Sequence, residues 1–140
     1  LEQDVEVARF LSNDHIKNIF DIEYHYKHID KIFDLIDVSS IKNSKLKVLI
    51  DANNGAGAVA DPLLCERLGI EYDIIAPEPN GRFSHDPEPL EKNLSEIKQQ
   101  LKDGDYDIGF VQDADADRLV MLDGNGRFIG EDYSLGVCID

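Results

Sequence analysis

The rhythm of apolar and polar positions changes near residue 45. Before it, Ile22, Tyr26, Ile29, Phe33 and Ile36 recur at spacings of 4, 3, 4 and 3, which predicts an amphipathic helix. Its polar face carries His25, Lys27, His28, Asp30 and Lys31. The histidines lack a partner at ligand spacing and are assigned to a solvated face. Residues 2–11 predict a shorter helix ending at Ser12-Asn13. Beyond residue 45 the pattern alternates between continuous apolar runs and helical stripes. Lys45 to Ala52 is a charged start followed by an apolar run, the signature of a buried strand. A glycine-rich stretch leads into a helix to about Leu68, closed by Gly69, with Pro62 expected in or near its first turn. Residues 70–76 predict a second strand, so that strand, loop, helix and strand form a βαβ unit with a parallel pair.

The proline-rich stretch 77–89 cannot be regular structure and reads as a long connection. Leu90, Leu94, Ile97 and Leu101 space the next helix at 4, 3 and 4. Tyr106–Gln112 and Arg118–Asp123 predict a third and a fourth strand. Asp123-Gly124-Asn125-Gly126 predicts a hairpin turn into Arg127–Gly130, followed by a helix from Glu131. Together these predict an α/β fold: a three-layer α/β/α domain with a mixed, mostly parallel sheet of about four strands, plus an N-terminal helical arm. All ten glycines and five prolines fall within 55–136, which places the expected boundary between residues 1–44, the arm, and 45–140, the α/β domain.

Composition narrows the function classes. The 140 residues suffice for one domain with a real core. A net charge of −15 argues against nucleic acid as a partner. No apolar run approaches membrane-spanning length and no signal-peptide pattern opens the chain, so no membrane role is expected. Cys65 and Cys138 sit in apolar segments and read as inert core thiols of a reducing cytosol, which makes a cytoplasmic location the expectation.

The candidate chemistry lies in Asp113-Ala114-Asp115-Ala116-Asp117-Arg118, at the carboxyl end of the third strand, where ligands bind in open α/β sheets. Alternation in an extended chain puts the three carboxylates on one side, roughly 7 Å between successive ones, and a modest curl brings their oxygens together. Like charges so close require neutralisation, for which a hard divalent cation is suited. An EF-hand loop is excluded, because Arg118 stands in place of the needed glycine and Gly124 in place of the bidentate glutamate. An aspartyl-nucleophile phosphatase lacks its usual following Thr or Val and a suitable later lysine. Gly55-Ala56-Gly57-Ala58-Val59-Ala60 fits a dinucleotide-binding fingerprint, but the acid expected after the second strand is replaced by Ala76-Pro77. A nucleotide-binding module using Gly55 and Gly57 therefore stands as the alternative, and a non-catalytic interaction domain as a third reading.

Three stretches occur in order: Asp51-x-x-Asn54-Gly55-Ala56-Gly57, then Asn80-Gly81-Arg82-Phe83-Ser84-His85-x-Pro87-Glu88-Pro89, then the strand with Asp113–Arg118. Together they resemble the second domain of the α-D-phosphohexomutases, which include phosphoglucomutase/phosphomannomutase and phosphoglucosamine mutase. The similarity covers about residues 24–140. In the family's metal loop the positions of Ala114 and Ala116 are commonly glycine, the second often alanine. The resemblance implies a multidomain isomerase that interconverts hexose 1-phosphates and 6-phosphates through a bisphosphorylated sugar. A phosphoserine of another domain is then the phosphoryl donor, and Mg²⁺ links it to Asp113, Asp115 and Asp117, with Arg118 supporting the phosphoryl group or its substrate. The family's serine loop occurs nowhere in the chain, nor do the loops of its third and fourth domains. The expectation is a fragment of a larger enzyme, inactive alone, whose partners are a sugar phosphate and the other domains.

Overall fold

A computed structural model describes residues 9–19 and 29–139, and the chain divides into two compact units, Leu1–Asp37 and Val38–Asp140. In the first, α1 spans Asn13–Ile19 and α2 spans Ile29–Asp34. Ser12 begins α1: its Oγ accepts the His15 N–H at 3.2 Å and its carbonyl accepts that of Ile16 at 3.0 Å. Residues 2–8 of the helix expected over 2–11 and residues 22–28 of the apolar stripe lie outside the described residues. Of the stripe's later members, Ile29 and Phe33 are helical, whereas Ile36 lies beyond the end of α2.

In the second unit, α3 (Val38–Ser44) precedes the sheet, so the shift in glycine and proline content falls one helix after the division between units. The strands are β1 (Lys47–Asp51), β2 (Glu71–Ile75), β3 (Ile108–Gln112) and β4 (Leu119–Asp123). Their order is β2-β1-β3-β4, with β1 parallel to both neighbours and β3 antiparallel to β4. This is the mixed, mostly parallel sheet that the apolar runs predict.

The central strand β1 is apolar on both faces because both are covered. Val48 and Ile50 pack with Cys65 of α4 (Gly57–Leu68), while Leu49 joins Ile97 and Leu101 of α5 (Ser95–Asp103). Ile97 and Leu101 are fully buried, each stabilising the fold by roughly 1.5–3 kcal/mol. α5 presses so close to β3 that a Cβ at Gly109 would lie 2.6 Å from a Leu101 methyl. α4 ends as expected, with Gly69 at φ 68° and its N–H on the Glu66 carbonyl.

Two local expectations are corrected. Pro62 occupies the sixth position of α4, in the second turn rather than the first. Its missing N–H removes only the bond to the Ala58 carbonyl, and the helix continues to Leu68. The turn at Asp123 forms, with Asp123 Oδ1 accepting the N–H groups of Asn125 (2.9 Å) and Arg127 (2.8 Å). The returning limb, however, makes a single bridge, Leu122 to Phe128, and is not a strand before α6 (Glu131–Ile139) begins. No helix among the described residues is long and apolar enough to cross a membrane. Cys65 is a free buried thiol whose pKa burial pushes up, as an inert core cysteine requires, whereas the side chain of Cys138 lies outside the described part.

Candidate metal centre

Register brings three loops to one end of the sheet. Asp51, the last residue of β1, lies opposite Ile75 of β2 and Val111 of β3. The glycine loop, the 77–89 connection and the acidic loop therefore leave parallel strands side by side, at their carboxyl ends.

In the acidic loop, Asp113 follows β3 directly and is 4% exposed, while Asp115 and Asp117 are exposed. The curl is a tight turn in which the Ala116 N–H bonds the Asp113 carbonyl at 3.2 Å and Ala116 takes φ 61°. The three aspartates consequently offer carboxylate oxygens within 4.8 Å of one another, a cluster that can hold a metal ion. Arg118 folds back onto the buried member: its backbone N–H reaches Asp113 Oδ1 at 3.2 Å and its Nε reaches Oδ2 at 2.8 Å. Its Nη1 lies 3.6 Å from Glu88 Oε1. Burial pushes the Asp113 carboxyl up, but the Arg118 bonds outweigh burial and hold it below the ordinary range. Asp117 is shifted the other way, raised by its hydrogen bond to Asp113 and then by the charges of Asp115 and Asp113. That crowding of negative charge on hard oxygen donors is what a divalent cation relieves.

The two alanines of the loop differ. Ala116 bears the left-handed conformation, whereas Ala114 does not. Ala116→Gly is therefore expected to stabilise the chain, by roughly 0.5 kcal/mol once glycine's greater unfolded freedom is counted, and Ala114→Gly to destabilise it by roughly as much. Urea denaturation of the two variants checks the opposite signs; equal shifts would contradict this turn geometry.

The glycine loop lies against the acidic loop. A Cβ at Gly55 would stand 2.5 Å from the Ala114 carbonyl oxygen, and the Ala56 N–H donates to that oxygen at 3.0 Å. A Cβ at Gly57 would strike Gln112 Oε1. Gly55 is thus accounted for by close packing under the acidic loop, and Gly57 by packing against the side chains of Gln112 at the end of β3 and Asp61 of α4.

A buried polar network ties in the third loop. It is invisible in the residue patterns, which mark Asp51, Asn54 and His85 only as points of resemblance. Asn53 and Asn54 both adopt positive φ (45° and 54°). Asn53 Oδ1 accepts from Ser84 N (2.8 Å), Ser84 Oγ (2.9 Å) and His85 N (3.2 Å). Asn54 Nδ2 donates to the Arg82 carbonyl (2.8 Å), and its Oδ1 accepts from Glu78 N (3.0 Å). His85 is clamped between two acceptors, Asp51 Oδ2 at 3.0 Å from Nε2 and the Asp86 carbonyl at 2.7 Å from Nδ1. Only the imidazolium donates from both nitrogens, and the Asp51 hydrogen bond accordingly raises the His85 pKa above its ordinary value. The one local signal in the sequence is three polar residues, Asp51, Asn53 and Asn54, at the end of an otherwise apolar strand.

Comparison with known proteins places this geometry. Residues 23–126 match the family model described as phosphoglucomutase/phosphomannomutase, alpha/beta/alpha domain II. A Thermococcus kodakarensis protein named phosphoglucomutase/phosphomannomutase is 38% identical over 114 residues, covering 81% of this chain and 25% of that protein. A Methanocella arvoryzae protein named "Probable phosphoglucosamine mutase" is 36% identical over 107 residues, 74% of this chain and 24% of that protein. The crystal structure of a phosphoglucomutase/phosphomannomutase family protein from Burkholderia thailandensis superposes with a TM-score of 0.62 at 31% identity, covering 72% of this chain and 24% of that one. A Thermus thermophilus structure at 24% identity repeats the fold, with a TM-score of 0.64. The chain spans about a quarter of the length of the curated relatives it matches. With the sheet order, the acidic turn and the family match in agreement, the chain belongs to the phosphoglucomutase/phosphomannomutase family, of which it carries the α/β/α domain II.

Proposed function

We propose that this chain is the metal-holding domain of a phosphohexomutase, an isomerase that moves a phosphoryl group between the 1- and 6-positions of a hexose phosphate. Asp113, Asp115 and Asp117 hold Mg²⁺, and Arg118 contacts the phosphoryl group with charge-assisted hydrogen bonds. The observation that carries this reading is the meeting of three carboxylate oxygens within 4.8 Å beside a guanidinium, at the carboxyl ends of parallel strands. Hard oxygen donors suit Mg²⁺, and a cation there neutralises charge on a phosphoryl oxygen. The phosphoserine donor and the groups that select the sugar belong to other domains, so the isolated chain binds metal and does not turn over substrate. Residues 1–44 act as the arm towards a preceding domain and 45–140 as the metal-binding domain, in a cytoplasmic enzyme.

Calorimetric titration with MgCl₂ tests the reading. Weak saturable binding is expected for the chain, and none for the variant with Asn at all three positions. Asp115 is exposed, so Asp115→Asn is expected to leave the fold intact while weakening Mg²⁺ roughly tenfold or more, from the loss of one charge near a dication. Undiminished Mg²⁺ affinity in the triple variant would refute the site.

A further inference from the structure

Of the buried carboxyl groups among the described residues, Asp113 faces Arg118 and Asp51 faces His85, whereas Asp61 on α4, 7% exposed, faces an amide. Gln112 Nε2 donates to Asp61 Oδ1 at 3.1 Å. The other oxygen of each group, Asp61 Oδ2 and Gln112 Oε1, is closed off from solvent with no hydrogen-bond partner. Both crowd one spot, since a Cβ at Gly57 would strike Gln112 Oε1 and lie 2.8 Å from Asp61 Oδ2.

Two unpaired acceptors sealed from water bear their full desolvation cost. Turning the amide over does not help: an amide brings one carbonyl oxygen to two carboxylate oxygens, so one acceptor always faces another. A single proton on Asp61 satisfies both atoms. We propose that Asp61 is a neutral carboxylic acid in the folded chain, closing a two-hydrogen-bond ring with Gln112 that pins the glycine loop to the strand carrying Asp113 and opens when Asp61 ionises. In that ring Asp61 Oδ2–H donates to Gln112 Oε1 while Gln112 Nε2–H donates to Asp61 Oδ1.

The surroundings favour the neutral form. Asp61 borders a cavity of about 210 Å³ whose walls include Val48 and Ile50 of β1, Phe110 of β3, Leu119 of β4 and Cys65 of α4. Cys65 is the titratable neighbour there, and burial pushes its thiol upward, so it is no counter-charge. Burial raises the Asp61 pKa against the opposing pull of the Gln112 amide. Asp61 is thus a positioning residue: Gln112 immediately precedes Asp113, and both side chains lie against the Gly57 backbone, where a Cβ would meet them. The pairing stands apart from the metal reading; its effect on the metal rests on that reading.

Asp61→Asn tests the ring, because the amide reproduces the acid's hydrogen bonds without a proton to lose. A carboxyl with a raised folded pKa contributes stability that is fully present below its unfolded value and lost as pH rises through its folded value. Wild-type and Asp61→Asn chains are therefore expected to match in urea denaturation at low pH. The wild-type folding constant should then fall behind by up to about tenfold per pH unit across that window, and level off above it. The ¹³Cγ signal of wild-type Asp61 should titrate above the ordinary aspartate range. A stability difference independent of pH, or an Asp61 midpoint at or below the ordinary range, overturns the proposal. Should Asp61→Asn fail to fold, the wild-type ¹³C titration decides alone. Neither readout uses Mg²⁺, so the outcome is separate from the fate of the metal site.

Discussion

Gly55→Ala is expected to destabilise the chain by about 3 kcal/mol and to weaken any Mg²⁺ binding with it. Three backbone atoms of Ala114 would lie 2.5, 3.1 and 3.2 Å from the new methyl group, and backbone cannot rotate away as a side-chain tip can. Relief requires the acidic loop to lift, which breaks the bond from the Ala56 N–H to the Ala114 carbonyl and re-aims the aspartates on either side. Gly81→Ala provides the contrast. At φ 69° it carries conformational strain but meets nothing within 4 Å, so a loss of only about 1 kcal/mol is expected. Gly136, in α6 with open space around it, should gain slightly as alanine. Urea midpoints for the three variants rank the effects. If Gly55→Ala lost no more than Gly81→Ala, the two loops would not be in the contact described.

Asp51→Ala is expected to be nearly as damaging, at about 3 kcal/mol. The substitution leaves the His85 Nε2–H without its acceptor under the 77–89 connection, and with it the Asn53 N–H that Asp51 Oδ1 accepts at 3.0 Å. The His85 side chain is 15% exposed, which keeps the loss near the low end for a broken buried pair. A pH dependence follows from the same contact. The folded His85 pKa is raised above its ordinary value, chiefly by the Asp51 hydrogen bond. Its stabilisation is therefore fully present below the unfolded value of about 6.5 and is lost as pH rises through the folded one. Wild type should lose its advantage over His85→Gln between about pH 6 and the raised folded value, whereas with Asp51→Ala as background the same comparison should be nearly flat. A wild-type advantage that grew with pH would show that His85 is neutral and the clamp misassigned.

Much of the fold is legible in the order of residues alone. The apolar run of β1, the spacing of Ile97 and Leu101, and Gly69 after Leu68 each encode their element locally, whereas Leu90 and Leu94 of the same stripe precede α5 and flank a 3-10 turn over Glu91–Asn93. Backbone hydrogen bonding and side-chain period are properties of neighbouring residues. The acidic loop is legible for the same reason: Asp113, Asp115 and Asp117 are two residues apart, and one turn brings their oxygens together. The misses are also local in origin. Ile36 carries on the stripe's spacing past the end of α2, and Pro62 suggests a later helix start than packing allows. The spacing rule cannot see where tertiary contacts stop rewarding a helix.

Local pattern is thus enough to specify the order and type of the elements from β1 onward, the mixed sheet, and the meeting of three carboxylates at a strand end, whereas α1 and α3 match no element read from it. Long-range packing alone settles which of two alanines takes the strained turn, why Gly55 and Gly57 are small, that Asp51 holds His85, and that Asp61 faces Gln112. The difference is one of range. Asp51 and His85 are 34 residues apart, and Asp61 and Gln112 are 51 apart. No periodicity links such positions. They meet only because β2 and β3 flank β1 in register, which brings the loops that follow all three strands into the small space at one end of the sheet.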